Sequence, residues 1–388
     1  MTKRTRHGAP RTFALITGGG TAGHVQPALA VGEALVARGH AAATIRFVGS
    51  RRGMEGRLVP EAGFEVTLLP GRGIQRRLTL ENVGAISGLL VASVLALFIV
   101  VRLRPRVVVT LGGYAGLPGA AAAILLRVPL VVVSYDAVPG AANRLVARFA
   151  RKCAVAFEPS SLPHPVLTGA PVRSAVLSAD RTPLGRSSAR AALEVSPSRF
   201  LLAVAGGSLG ARRLNDAALG LAKSWASRGD VTIYHVAGER NLASLTAHAA
   251  ALGLGPQSSA DGGLDYRLVG YEARLPALFA ACDLAVCRSG ASTVAELAVI
   301  GTPSALVPLP GAPGDHQTRN AEALSRVGAA VLISDGDCTP EGLEELVGSL
   351  LGDPDRLEGM GRAAASAGRR DAADKVAALV ESVAKAAA

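Results

Sequence analysis

Three glycine-rich segments carry the chemistry most open to reading in this chain: Thr17-Gly18-Gly19-Gly20-Thr21-Ala22-Gly23-His24, Gly112-Gly113-Tyr114 and Gly206-Gly207-Ser208-Leu209-Gly210. Each follows an apolar run of strand length and precedes an Ala/Leu-rich stretch with helical spacing. At such a turn glycine lets backbone N–H groups approach an anion, and the helix that follows directs its positive end at it. A phosphate or diphosphate is the ligand this implies, although a tight turn also needs glycine in its own right. None of the three runs into the Gly-Lys-Ser/Thr of a P-loop. The spacing of the first is not the dinucleotide fingerprint, and no acid ends the next strand to hold an adenosine ribose.

Side chains near these turns supply the other groups a reaction needs. An imidazole titrates near neutrality, so His24 is a candidate general base; its alternative role is to hydrogen-bond backbone and shape the turn. Ser208 sits where a hydroxyl can hold a diphosphate, a role compatible with capping a helix. Glu296 follows Arg288-Ser289-Gly290 at helical spacing, where a lone Glu ordinarily faces solvent. Asp335-Gly336-Asp337 has the form of a metal-binding pair of acids, but it runs into the helix start Cys338-Thr339-Pro340-Glu341 and reads as a surface turn. Cys153, Cys282, Cys287 and Cys338 show no C-x-x-C spacing and read as scattered buried thiols. No metal and no other cofactor is expected.

These turns need rigid elements to hold them. Strands are expected at 13–17, 45–49, 66–69, 107–111 and 130–133, with a helix over 27–38. Six prolines between positions 158 and 200 interrupt the pattern and mark a linker near Pro171. Strands then resume at 200–205, 231–236, 284–287, 305–308 and 330–333. Alternation of this kind predicts an α/β protein with two Rossmann-like parallel-sheet halves facing across a cleft. The expected domains are 11–171, 172–365 and a C-terminal helix in 366–388 that packs back on the first. The Ala-rich tail supports that helix.

The chain has 388 residues, 49% apolar and 18% charged, which excludes a disordered protein. Its net charge of +11 is lopsided: through Arg173 there are 21 Lys+Arg against 7 Asp+Glu, or +14, leaving 20 against 23, or −3. With 4% aromatic residues and no basic run interleaved with aromatics, nucleic acid is not the expected partner. An anionic membrane surface fits better. The 18 residues from Gly84 to Val101 contain no charge, and Arg102, Arg104 and Arg106 follow. That stretch lies between two expected strands, so it reads as a crossover helix with one face on the sheet and a second greasy face outward, not as a span. The apolar run after the basic N-terminus is too short for a signal peptide.

Taken together, Thr17 to His24 with Pro27, Gly112-Gly113-Tyr114, Gly206-Gly-Ser-Leu-Gly-Ala-Arg212 with Asn215, Cys287-Arg-Ser-Gly290 with Thr293 and Glu296, and Asp315-His-Gln-Thr-Arg-Asn320 resemble the MurG family within glycosyltransferase family 28. The resemblance runs from about Phe13 to the end. It implies the GT-B fold and inverting transfer of N-acetylglucosamine from UDP-N-acetylglucosamine to undecaprenyl-diphosphate-linked muramyl-pentapeptide. It implies a peripheral enzyme at the cytoplasmic face of the membrane. Thr21, Ala22, Gly23, Arg173, Ser208, Glu296 and Gln317 are implied donor contacts. Gly19, Gly20, Gly112, Gly113, Tyr114, Gly207 and Gly210 are implied to form the acceptor and diphosphate loops, with Thr21, Gly23 and His24 on the loop facing the reaction centre.

One segment departs from the family. Where it usually has His-Glu-Gln-Asn before Ala-Val-Pro-Gly, this chain reads Val133-Ser134-Tyr135-Asp136 before Ala137-Val138-Pro139-Gly140. Asp136 therefore stands as a second candidate base or a donor-positioning residue, since an ionised Asp accepts but does not donate. Three alternatives remain at this stage: a related transferase with another lipid or natural-product acceptor, a UDP-sugar epimerase, and a non-enzymatic paralogue.

Overall fold

The computed structural model describes residues 11–70, 80–207, 210–254 and 262–386, with main chain only at Ala22 and 80–86. Two compact units emerge. The first is the chain up to Tyr135 with Pro139–Arg173 and the chain from Asp371; the second is Ser174–Arg370 with the segment Asp136–Val138.

The first unit alternates β1 (Ala14–Thr17), α1 (Ala22–Ala37), β2 (Ile45–Ser50), α2 (Glu55–Glu61), β3 (Glu65–Leu69), α3 (Leu80–Leu103), β4 (Val107–Thr110), α4 (Gly113–Leu125), β5 (Leu130–Ser134), α5 (Ala141–Ala147), β6 (Lys152–Val155) and β7 (Pro165–Leu167). The second carries α6 (Ser174–Leu177), α7 (Pro183–Ala192), β8 (Phe200–Ala205), α8 (Arg212–Ser224), β9 (Val231–Val236), α9 (Glu239–Ala251), β10 (Asp265–Val269), α10 (Leu275–Ala281), β11 (Leu284–Cys287), α11 (Ala291–Ile300), β12 (Ser304–Leu306), α12 (His316–Ser325), β13 (Ala330–Leu332), α13 (Pro340–Leu351) and α14 (Pro354–Ala367). A last helix, α15 (Ala372–Lys385), returns to the first unit.

The sheet orders are β3-β2-β1-β4-β5-β6-β7 and β10-β9-β8-β11-β12-β13, with parallel pairing throughout. Near-continuous Val, Leu and Ala runs make central strands that are covered on both faces, as Val107–Thr110 and Leu130–Ser134 are. In each sheet the order reverses direction once, between β1 and β4 and between β8 and β11. Loops leaving those strand ends line a crevice, the usual ligand position in an open α/β sheet.

Helix α3 shows how one uncharged stretch serves two surfaces. Ala92, Ala96 and Val100, four residues apart, are buried with Leu15, Val108 and Val132 of the sheet. The opposite side exposes Leu90 at 64%, Val94 at 58% and Phe98 at 72%. Among the described residues no helix is long and apolar enough to cross a membrane. Helix α15 buries Val376, Val380 and Val383, and Arg38 after α1 donates to Asp374 at 2.8 Å and Glu381 at 3.0 Å.

Three strands carry no expectation above. β6 is four residues long, and β7 begins on Pro165, which an edge position tolerates because its missing N–H faces no partner. β10, also at an edge, contains Asp265 and Arg267, an internal ion pair at 3.0 Å. The helix expected from Pro27 begins instead at Ala22, so Gly23 and His24 lie in its first turn, not on a loop. Thr339 caps α13 by accepting from Gly342 N–H at 3.1 Å, and Pro340 follows at the first helical position, as the Thr-Pro start suggests.

Candidate active site

The β1 and β4 turns meet in the first unit. A Cβ at Gly113 would lie 3.1 Å from the Gly19 carbonyl oxygen and 3.5 Å from His24 Nε2, and one at Gly20 would lie 3.2 Å from Tyr114 Cε1. Gly19, Gly20, Gly113, Tyr114 and His24 thus form one cluster. Gly112, at φ +82°, lets the chain turn into α4, and a Cβ there would fall 2.6 Å from Asn143 Oδ1. Thr21 Oγ1 lies 3.3 Å from His24 Nδ1, and the imidazole meets the buried Tyr135 ring edge-on at 6.0 Å between centroids. Arg173 is held on α1: its Nε donates to Glu33 Oε1 at 2.8 Å and its Nη1 to Gln26 Oε1 at 3.4 Å.

Two residues of this cluster, Ser50 and Glu55, escape the sequence reading. Tyr114 donates its hydroxyl to Ser50 Oγ at 2.8 Å, and the buried Glu55 accepts from Gly20 N–H at 2.8 Å and from Ser50 N–H at 3.0 Å. The surrounding Arg51, Arg52 and Arg57 give that segment the look of an exposed turn; flanking glycines at 49 and 53 are the one hint of a packed side chain.

In the second unit the turns after β8 and β11 play the corresponding part. Ser208, the expected diphosphate contact, lies outside the described residues. Gly210 has no room for a Cβ, which would sit 2.4 Å from the Ala237 carbonyl, and Asn215 Nδ2 donates to that carbonyl at 3.0 Å. Asn215 Oδ1 pairs with His235 Nε2 at 3.0 Å, and His235 Nδ1 with Tyr266 OH at 2.9 Å. His235 is fully buried, and desolvation pushes its pKa down to about 4. A neutral, tautomerically fixed imidazole therefore orients Asn215, which holds the Ala237 carbonyl beside Gly210.

After β11, Arg288 donates to the Val307 and Pro308 carbonyls at 3.2 and 3.0 Å and pairs with Asp335 at 2.7 Å; Arg213 also reaches Asp335 at 3.2 Å. Asp335 thus serves an arginine pair. Glu296 is half-buried on α11. Gln317 Oε1 accepts from Leu309 N–H at 2.9 Å, which fixes the amide and leaves its NH2 donors as the part able to meet a ligand. The wholly buried Asn320 accepts from Ala137 N–H at 2.8 Å and donates to Asp136 Oδ1 at 3.1 Å and to the Ser289 carbonyl at 3.2 Å. The departing segment thus ends on a carboxylate held by a residue of the family motif.

Each half matches a known domain: residues 14–155 the glycosyltransferase family 28 N-terminal domain, and residues 201–376 the family 28 C-terminal domain. The chain belongs to glycosyltransferase family 28. A relative in Acidothermus cellulolyticus is 40% identical over 372 residues, 96% of this chain and 98% of its own length. One in Desulforudis audaxviator is 37% identical over 376 residues, covering 95% and 98%. Both are named UDP-N-acetylglucosamine–N-acetylmuramyl-(pentapeptide) pyrophosphoryl-undecaprenol N-acetylglucosamine transferase. Among solved structures, Acinetobacter baumannii MurG aligns with a TM-score of 0.70 at 28% identity, covering 96% of this chain and 99% of its own. The UDP-GlcNAc 2-epimerase of Neisseria meningitidis aligns with a TM-score of 0.64 at 14% identity, covering 95% and 99%, and shares the fold alone. As a family 28 member the protein is a glycosyltransferase with the GT-B architecture, two Rossmann-like units.

Proposed function

We propose that this family 28 enzyme transfers N-acetylglucosamine from UDP-N-acetylglucosamine to the C4 hydroxyl of undecaprenyl-diphosphate-linked muramyl-pentapeptide. The observation that carries this is identity of 37–40% over nearly the full length to relatives named for that reaction. In this reading the acceptor oxygen attacks the anomeric carbon as the bond to UDP breaks, inverting the centre. The acceptor proton passes to His24 Nε2. Removing the proton as the bond forms avoids an oxonium intermediate, the ordinary contribution of a general base.

The second unit holds the donor. Backbone N–H groups of the Gly206–Gly210 turn, Gly207 and Gly210 included, meet the diphosphate with Ser208, and the N-terminal end of α8 favours the charge that develops on the leaving UDP. Glu296 accepts from the ribose hydroxyls, and the Gln317 NH2 donates to the sugar. Thr21, Ala22 and Gly23 approach the donor from the N-cap and first turn of α1. Arg173 adds positive charge, moderated by its pairing with Glu33. Asp136 positions the donor through Asn320. The acceptor cleft is lined by Gly19, Gly20, Gly112, Gly113 and Tyr114.

The lipid acceptor brings the first unit to a membrane. Leu90, Val94 and Phe98 of α3 supply apolar area to the headgroup boundary, and Arg102, Arg104 and Arg106 just beyond supply attraction to anionic lipid. We place the enzyme as a peripheral protein on the cytoplasmic face, where UDP-N-acetylglucosamine is found.

The test is acceptor-dependent UDP release. UDP should appear with stoichiometric loss of UDP-N-acetylglucosamine when the lipid-linked acceptor is present, and not without it. UDP release independent of acceptor, or epimerised sugar nucleotide in its absence, would contradict the proposal.

A further inference from the structure

We infer that Glu55 is a positioning residue of the acceptor half, an inference that rests on the acceptor role proposed for the first unit. Glu55 begins α2 and is 2% exposed. Its Oε1 accepts two backbone N–H groups, from Gly20 and Ser50, while Oε2 is buried without a partner among the described residues. The side chain fits because three neighbours lack one. A Cβ at Gly19 would lie 1.9 Å from Oε1, at Gly49 2.6 Å from Cγ, and at Gly53 1.8 Å from Oε2. Those glycines come from three places: the turn after β1, the strand β2 and the turn before α2.

The consequence for the glycine turn is specific. A carboxylate that accepts from Gly20 N–H takes this donor away from any anionic ligand and fixes the Gly19–Gly20 peptide with its N–H inward. The Gly19 carbonyl then faces the Gly113 backbone on the β4 turn. Thr21, the N-cap of α1, follows this fixed peptide directly, and His24 lies in the first turn of that helix. The second amide on Oε1 belongs to Ser50, the residue whose Oγ accepts from Tyr114. One oxygen therefore sets the start of α1 and, through Ser50, the aromatic side chain at the start of α4. Shared control of two turns is what holds an acceptor hydroxyl in line with its base, and misplacement by about 1 Å costs roughly a hundredfold in rate.

The experiment compares wild type, Glu55→Ala and Glu55→Gln by steady-state kinetics in both substrates and by amide hydrogen exchange. In Glu55→Ala, kcat should fall roughly a hundredfold and the acceptor KM should rise. Exchange at Gly20 and Ser50 should accelerate while the β1 and β4 amides keep their protection. Glu55→Gln, whose carbonyl oxygen accepts the same two amides, should recover most of the turnover and the local protection. Wild-type kcat and acceptor KM in Glu55→Ala would overturn the inference, as would a loss of protection spread evenly through the sheet and shared by Glu55→Gln. If wild type itself released no acceptor-dependent UDP, the acceptor reading would have failed, and exchange would still decide the role of Glu55 in the turn: unchanged protection at Gly20 and Ser50 overturns it, and faster local exchange upholds it.

Discussion

Thr21 Oγ1 and His24 Nδ1 lie 3.3 Å apart at the start of α1, and this pairing decides whether the imidazole can act as a base. A neutral ring carries one proton. If Nδ1 holds it and donates to Thr21, Nε2 presents a lone pair; with the other tautomer Nε2 is a donor and takes no proton. His24→Ala should therefore lower kcat by about a hundredfold or more with little change in donor KM. Thr21→Val, which removes the acceptor for Nδ1–H, should lose about tenfold. Intact turnover in His24→Ala removes it as the base.

Asp136 gives a separable prediction. Its Oδ1 accepts from Asn320 at 3.1 Å, a bond that a side-chain amide oxygen can also make. Asp136→Asn should keep turnover within about tenfold of wild type, since a neutral acceptor replaces a charged one. Abolished transfer with donor binding intact would instead make the carboxylate the base.

Burial of His235 makes the second unit acid-sensitive. Its folded pKa is pushed down to about 4, below the ordinary value of about 6.5. The unfolded chain thus binds a proton between those values that the folded chain refuses, and stability falls as pH drops through that window, with no further loss from this group below it. The contribution amounts to about 2 kcal/mol between pH 8 and pH 5. Urea unfolding at the two pH values should show it, and His235→Asn should reduce the difference by that amount. Equal pH dependence in both proteins would contradict the assignment.

Asp335 pairs with Arg288 at 2.7 Å and with Arg213 at 3.2 Å, and the Arg288 side chain is 12% exposed. Asp335→Ala leaves that guanidinium uncompensated and should cost about 3 kcal/mol, seen as a lower Tm. Because both arginines already engage the carboxylate, excess chelator should leave turnover unchanged. Activity lost on chelation and restored by a divalent cation would contradict this.

The sequence makes the central strands and turns legible because burial on both faces leaves unbroken apolar runs, as at Val107–Thr110, and because the crevice loops require glycine. It is less informative at the edges, where β10 mixes Asp265 and Arg267 into a strand and β7 opens on proline. The start of α1 is missed for a related reason: Gly23 is a poor helix former, and tertiary contact at the turn overrides propensity. His24, Tyr114 and Gln317 are visible as chemistry-bearing types. Glu55 is not, because its role depends on glycines at 19, 49 and 53 that meet only in three dimensions.

The exposed side of α3 predicts lipid binding that depends on both apolar area and charge. Replacing Phe98, 72% exposed, and Val94, 58% exposed, with glutamate should abolish sedimentation with anionic vesicles. Turnover on a soluble short-chain acceptor should persist. Sedimentation equal to wild type would move the contact elsewhere.

Sugar transfer is read by following radiolabel from UDP-N-acetylglucosamine into the lipid phase with the undecaprenyl-diphosphate muramyl-pentapeptide as acceptor. Label should enter the lipid only when the acceptor is present and be released by mild acid as a disaccharide-peptide. Label that stays in water as free sugar or as an epimerised sugar nucleotide would contradict it.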